Sequence, residues 1–177
     1  METSAALSKN KHIALRGLLI ALAMILSYFE SFIPVSGVLP GVKIGLANIV
    51  TIFALEYMGI KDAMAISLMR IFLSAILFGN PVMMIYSLAG AFLSISVMSI
   101  FSKIPGTGPM SVSICGAIFH NLGQCAAAAL LLCNVKVFFY LPILLIAGVA
   151  AGIGTGLISN KILKSDVFPN GALPNRK

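Results

Sequence analysis

Residues 63–78 read AMAISLMRIFLSAILF, an apolar run with a single charge, Arg70, near its midpoint. By itself such a run fits either a buried helix of a soluble domain or a short membrane span. The rest of the chain decides between them. Of its 177 residues, 59% are hydrophobic and 10% charged, and the mean hydropathy is +1.05. A soluble domain carries about 25% charged residues to solvate its surface. This chain lacks them, so it reads as a polytopic helical membrane protein forming one compact domain. Arg70 then lies too deep to reach either surface. An ionisable group at that depth faces protein or a watery cavity.

A spanning helix needs about 20 mostly apolar residues. Working outward from residues 63–78, five more segments qualify or nearly do: 13–33, the shorter 44–58, 83–101, 111–133 and 137–162. Prolines, glycines and charges mark the breaks. These are the 34–43 loop, Gly59-Ile60-Lys61-Asp62, Gly79-Asn80-Pro81, the 103–109 loop and Asn134-Val135-Lys136. The expected fold is an all-α membrane protein, a six-transmembrane-helix bundle over 13–162. A leader, 1–12, and a polar tail, 163–177, flank it, and the end of the tail is expected to be disordered. The leader METSAALSKNKH has no small-residue cleavage pattern after it. It reads as the start of the first span, not as a signal peptide.

The formal charge of +7 is not that of a nucleic-acid binder, because no basic stripe alternates with aromatics. The cations sort by topology instead. Lys9, Lys11, Arg16, Lys61, Lys103, Lys161, Lys164, Arg176 and Lys177 fall on one side of a six-span bundle; Lys43 and Lys136 fall on the other. That asymmetry predicts both termini in the cytoplasm. The loops at 34–43, 79–81 and 134–136 then face outside.

Arg70 needs a partner. The acids in neighbouring spans are Glu30 and Glu56, each near a span end. Arg70 is therefore read as an anion-binding or gating cation. The competing reading is a buried arginine satisfied by a carboxylate or by carbonyls. In the fifth span, SICGAIFHNLGQCAAAALLL, His120 and Gln124 share a helix face, and Asn121 lies about 100° around. Such side chains often serve as hydrogen-bond glue between helices. Three of them within five residues favour the wall of a polar cavity. Asn48 lies one turn into the second span, just after Lys43. Lys43 alone would pass for an interfacial anchor, and Asn80 for a turn residue. Together Lys43, Asn48, Arg70, His120, Asn121 and Gln124 are expected to converge in the outer half of the bundle, as a pocket for a small ligand with an anionic or carbonyl-rich group.

Other features set bounds. Cys115, Cys125 and Cys133 are spaced so that neighbours lie roughly 12–15 Å apart on a helix, beyond the roughly 7 Å that a disulfide allows. They read as apolar fillers. His12 is the only other histidine besides His120, so no metal or other cofactor is expected. There is no GxxxxGK[ST] loop, hence no ATP hydrolysis by this chain. The two aspartates, Asp62 and Asp166, are far apart, and no inverted repeat is evident. Gly148, Gly152 and Gly156, four apart, predict close packing of the sixth span. Ala14, Gly17 and Ala21 give the first span a weaker small-residue face.

The stretch PGVKIGLANIVTIFAL, with VSGVLP before it, resembles the signature region of the bacterial Gx transporter family, also labelled heptaprenyl diphosphate synthase component I. The resemblance runs from about Ala14 to Ile162 and takes in Arg70 and the His120–Asn121 pair. Families of this shape resemble the substrate-binding (S) components of energy-coupling factor importers. The resemblance implies a six-helix protein of the bacterial cytoplasmic membrane that binds a small nutrient or precursor from outside and is not itself an enzyme. It implies docking, through Ala14, Gly17 and Ala21, on a scaffold membrane protein with two ATPases, although Leu18 interrupts the AxxxA pattern at Ala14. The synthase label can be weighed chemically. Prenyl diphosphate synthases hold Mg²⁺ on aspartate-rich motifs, and this chain has none. On that label it would be a non-catalytic membrane partner in heptaprenyl diphosphate or quinone synthesis. A third reading is an assembly protein without a ligand.

Overall fold

A computed structural model describes residues 2–32, 45–79 and 81–163. The expected 34–43 loop with Lys43, the turn residue Asn80 and the tail from residue 164 lie outside the described residues. Six α-helices are described: α1 (Glu2–Phe32), α2 (Leu46–Tyr57), α3 (Ile60–Leu77), α4 (Pro81–Phe101), α5 (Pro109–Leu131) and α6 (Leu141–Leu163). A 3₁₀ segment, Val135–Tyr140, precedes α6. All the described elements are helical.

Glycine and proline set the helix ends. Pro81 and Pro109 open α4 and α5, in the first turn, where a missing N–H costs nothing. Gly59 reverses the chain between α2 and α3 at φ 97, a conformation that a side chain would oppose. The third helix starts at Ile60, so Lys61 and Asp62 of the expected break are helical, and two boundaries differ from the expected ones by four residues or more. The sixth helix starts at Leu141 rather than at residue 137. Pro142 has no N–H to give the carbonyl four residues earlier, so it takes a first-turn position and the preceding residues tighten into 3₁₀. The first helix extends back to Glu2, so the leader is largely helical.

Among the described residues, four segments are long and apolar enough to cross a membrane: Asn10–Phe32, Pro81–Phe101, Pro109–Leu131 and Val135–Ile162. The 12-residue α2 is short for a span, and α3 carries Lys61, Asp62 and Arg70. Large apolar side chains such as Leu18, Phe72, Phe92 and Ile146 are exposed around the bundle, as contact with lipid requires. The chain is a multi-pass helical membrane protein.

Packing divides the bundle into a tight half and a looser half. In the tight half, α4, α5 and α6 run antiparallel at close quarters. A β-carbon added at Gly123 would lie 2.8 Å from the Ala89 carbonyl oxygen; one at Gly152 would lie 2.7 Å from Ile114 Cα. Backbone-to-backbone approach of this kind replaces the hydrophobic driving force that lipid removes. Hydrogen bonds tie the same helices. Ser94 donates to the Gly116 carbonyl at 2.8 Å, and the Ser113 and Thr155 hydroxyls meet at 2.7 Å. In the looser half, α1 packs on α2 and α3. The short α2 lies inside, with nine of its twelve residues buried.

The apolar core fills one end of the bundle. Leu15 and Leu19 of α1, Tyr57 of α2, Ala63 of α3, Phe101 of α4, Val112 of α5 and Ile162 of α6 belong to it. The starts of α1, α3 and α5 therefore gather with the ends of α2, α4 and α6, and successive helices alternate in direction. At the same end the nearly buried carboxylate of Asp62 pairs with Arg16, and His12 Nε2 lies 3.5 Å from it.

Candidate functional site

The opposite half of the bundle is polar inside. A cavity of about 30 Å³ lies there, about the volume of one water molecule. All six helices contribute to its wall. Glu30 comes from α1, Ala47 and Asn48 from α2, Arg70 from α3, Ser87 from α4, Ala117, His120 and Asn121 from α5, and Gly148, Ala151 and Thr155 from α6.

Local sequence explains each placement. Arg70 sits at the middle of α3, on the side facing α1. Its Nη1 donates to Ser27 Oγ at 3.2 Å, and its Nε is buried without a hydrogen-bond partner. Glu30 lies one turn beyond Ser27 on α1. Its Oε1 accepts the Gly45 N–H at 2.5 Å, and the carboxylate attracts the Arg70 guanidinium. Gly45 holds φ 78, which turns its amide toward Glu30 before α2 begins. Asn48 follows one turn later. Its Nδ2 would be 3.3 Å from a β-carbon at Gly45, so the glycine leaves room for the amide.

On α5, Asn121 is buried and donates from Nδ2 to the Leu144 carbonyl of α6 at 2.8 Å. Gly148 permits this, since a β-carbon there would meet Asn121 Nδ2 at 2.8 Å. Asn121 thus lines the cavity while one amide hydrogen is committed to helix packing.

Two larger cavities adjoin the small one. One, about 310 Å³, is mostly apolar and is lined by Met83, Tyr86, Ser87, Gln124, Cys125 and Leu144, among others. The second, about 300 Å³, shares Glu30, Arg70 and Ser87 with the small cavity and adds Ser27, Ser31 and Ser74. Ser87 stands in the wall common to all three. Among the described residues no three His, Cys, Asp or Glu side chains cluster as metal ligands.

Of the residues singled out in the sequence, Asn48, Arg70, His120 and Asn121 come together around one cavity. Gln124 lies one turn further along α5 and lines the apolar cavity instead. Lys43 is outside the described residues. Sequence reasoning left Glu30, Ser27, Ser87 and Thr155 out of the site. Glu30 was legible as an acid within a span, and Ser27 as its neighbour one turn away. Ser87 and Thr155 look like ordinary small packing residues until the helices are assembled. Ala14, Gly17 and Ala21 are all exposed, and a β-carbon at Gly17 would meet nothing within 4 Å.

Comparison with curated proteins and with solved structures returns no match. The family model for heptaprenyl diphosphate synthase component I matches residues 19–162. That stretch runs from α1 to α6 and includes every described residue of the cavity wall. The chain therefore belongs to the heptaprenyl diphosphate synthase component I family.

Proposed function

We propose that this protein is the membrane-embedded substrate-binding component of an energy-coupling factor type importer. It captures a small molecule at the outer face of the bacterial cytoplasmic membrane, with six spans and both termini in the cytoplasm. The observation that carries this reading is a one-ended site. Polar side chains from all six helices meet in one half of the bundle, while an apolar core closes the other half. A blind pocket suits capture rather than conduction. Release to the cytoplasm would then need work done by another protein, since this sequence has no ATP-binding loop.

The binding residues on this reading are Asn48, Arg70, His120 and Asn121, with Gln124 and Lys43 at the margins. Ser27 and Glu30 position Arg70. Docking on the coupling module would use the exposed Ala14–Gly17–Ala21 face of α1, where a second helix can approach closely.

The family's name supports a second reading, a non-catalytic membrane partner in heptaprenyl diphosphate synthesis. Affinity purification in mild detergent separates the two. Co-recovery of a scaffold membrane protein with two ATPases supports the importer. Recovery of a soluble prenyl synthase instead overturns it in favour of the second reading.

A further inference from the structure

We infer that the apolar cavity between α4, α5 and the 3₁₀ segment is a second binding site, independent of Arg70. It takes a neutral, mostly hydrocarbon molecule that carries one hydroxyl group. This goes beyond the importer reading and stands whether or not a coupling module docks on the protein.

The lining sets the class of occupant. Among the described residues that line this cavity of about 310 Å³, none is Lys, Arg, His, Asp or Glu. Most of the wall is apolar, from Met83, Ala128, Leu132, Val137 and Leu144. The polar side chains in it, Tyr86, Ser87, Gln124 and Tyr140, are hydroxyls and one amide. An ion placed there would lose its hydration without gaining a countercharge, so the occupant is neutral. A cavity of about 150 Å³ accepts benzene, and roughly twice that volume accepts about ten carbons.

One group in the wall lacks a partner. Gln124 is 7% exposed, and its Oε1 is buried without a hydrogen-bond partner among the described residues. A buried amide oxygen left in that state costs free energy, and most such atoms in proteins are paired. The fold makes room for this side chain. A β-carbon at Gly90 of α4 would lie 2.9 Å from Gln124 Cγ, so the glycine lets the glutamine stem lie between α4 and α5. An amide oxygen only accepts, so the occupant donates. A hydroxyl does so without adding charge.

The cavity is reached from the membrane. Met83 at the start of α4, Leu132 just past α5 and Tyr140 just before α6 line it and are exposed on the bundle surface. A hydrophobic molecule dissolved in the bilayer meets this mouth directly and exchanges through it. The test therefore supplies the occupant instead of looking for one carried through purification.

The probe is radiolabelled 2-naphthol, bound to the protein in lipid nanodiscs, with empty nanodiscs subtracting its partition into lipid. Naphthalene and 2-naphthoate compete against it. Binding should be saturable at one site, and 2-naphthol should bind roughly fivefold or more tighter than naphthalene, which leaves Gln124 unpaired. It should also bind at least tenfold tighter than 2-naphthoate. Gln124→Leu should bring 2-naphthol down to the affinity of naphthalene; Gln124→Met replaces it if that variant does not fold. Ala128→Phe, which fills the cavity, should weaken both at least tenfold, with Leu132→Trp as the second choice. Arg70→Gln should leave 2-naphthol binding unchanged. Equal binding of naphthalene, or no effect of Gln124→Leu, overturns the hydroxyl pairing. Equal or tighter binding of 2-naphthoate overturns neutrality. Loss of 2-naphthol binding in Arg70→Gln, or none on filling the cavity, moves the molecule elsewhere and overturns the site. No saturable binding above empty nanodiscs overturns the whole inference.

Discussion

Arg70 of α3 donates to Ser27 of α1 across 3.2 Å, and the two residues are 43 positions apart in the chain. This bond joins the looser half of the bundle at the depth of the polar cavity. The hydroxyl orients the guanidinium beside the Glu30 carboxylate, which attracts it.

Ser27→Ala should therefore loosen Arg70 without removing it. A hydrogen bond of this kind contributes about 1 kcal/mol. Thermal unfolding should change little. Ligand affinity should fall roughly three- to tenfold, and Ser27→Thr should restore most of it. An unchanged affinity in Ser27→Ala would show that Ser27 does not position Arg70.

The α5–α6 contact should tolerate no added atoms. A β-carbon at Gly152 would lie 2.7 Å from Ile114 Cα, and a backbone atom has no rotamer with which to move away. Gly152→Ala should destabilise by about 1–3 kcal/mol, the usual cost of overpacking. Gly17→Ala meets nothing within 4 Å and should leave unfolding unchanged or slightly raise its midpoint, since glycine is the poorer helix former. Thermal unfolding in lipid nanodiscs compares the two. Equal effects would mean that α5 and α6 are not packed as described.

Gly17→Trp separates folding from docking. On the importer reading, a bulky residue on the exposed face of α1 should sharply reduce recovery of the coupling module while ligand retention stays at the wild-type level. Undiminished recovery would remove this face from the proposed interface.

Asn121 serves packing as well as the cavity. Asn121→Ala removes the bond to the Leu144 carbonyl, and interhelical bonds in membranes contribute roughly 0.6 kcal/mol on average. The unfolding midpoint should drop modestly. Asn121→Asp keeps a similar shape but loses the donor, so it should drop at least as far. A midpoint unchanged in both variants would contradict the bond.

The all-helical architecture and the approximate limits of the described helices were legible because Gly59, Pro81, Pro109 and their neighbours punctuate the hydropathy so plainly. The depth of Arg70, His120 and Asn121 was legible too, since depth follows from counting along a helix. What could not be read was azimuth. One turn of α5 separates Asn121, on the polar cavity, from Gln124, on the apolar one, and only the packing of α4 and α6 decides which faces which. Glu30 looked peripheral because it lies near a helix end. It reaches the site because Gly45, in a left-handed conformation, brings the start of α2 back against it. The start of the sixth helix was misjudged because hydropathy runs on through residues 137–141, whereas Pro142 governs the hydrogen bonds.

On the proposed reading, Arg70 holds a ligand rather than the bundle. Native mass spectrometry of gently purified wild-type protein and of Arg70→Ala tests it most directly, with thermal unfolding run on the same samples. A small-molecule adduct should be retained on the wild type and lost in Arg70→Ala, with the variant still folded. Equal retention by both proteins, or loss of the fold together with the adduct, would contradict it and make Arg70 a structural residue.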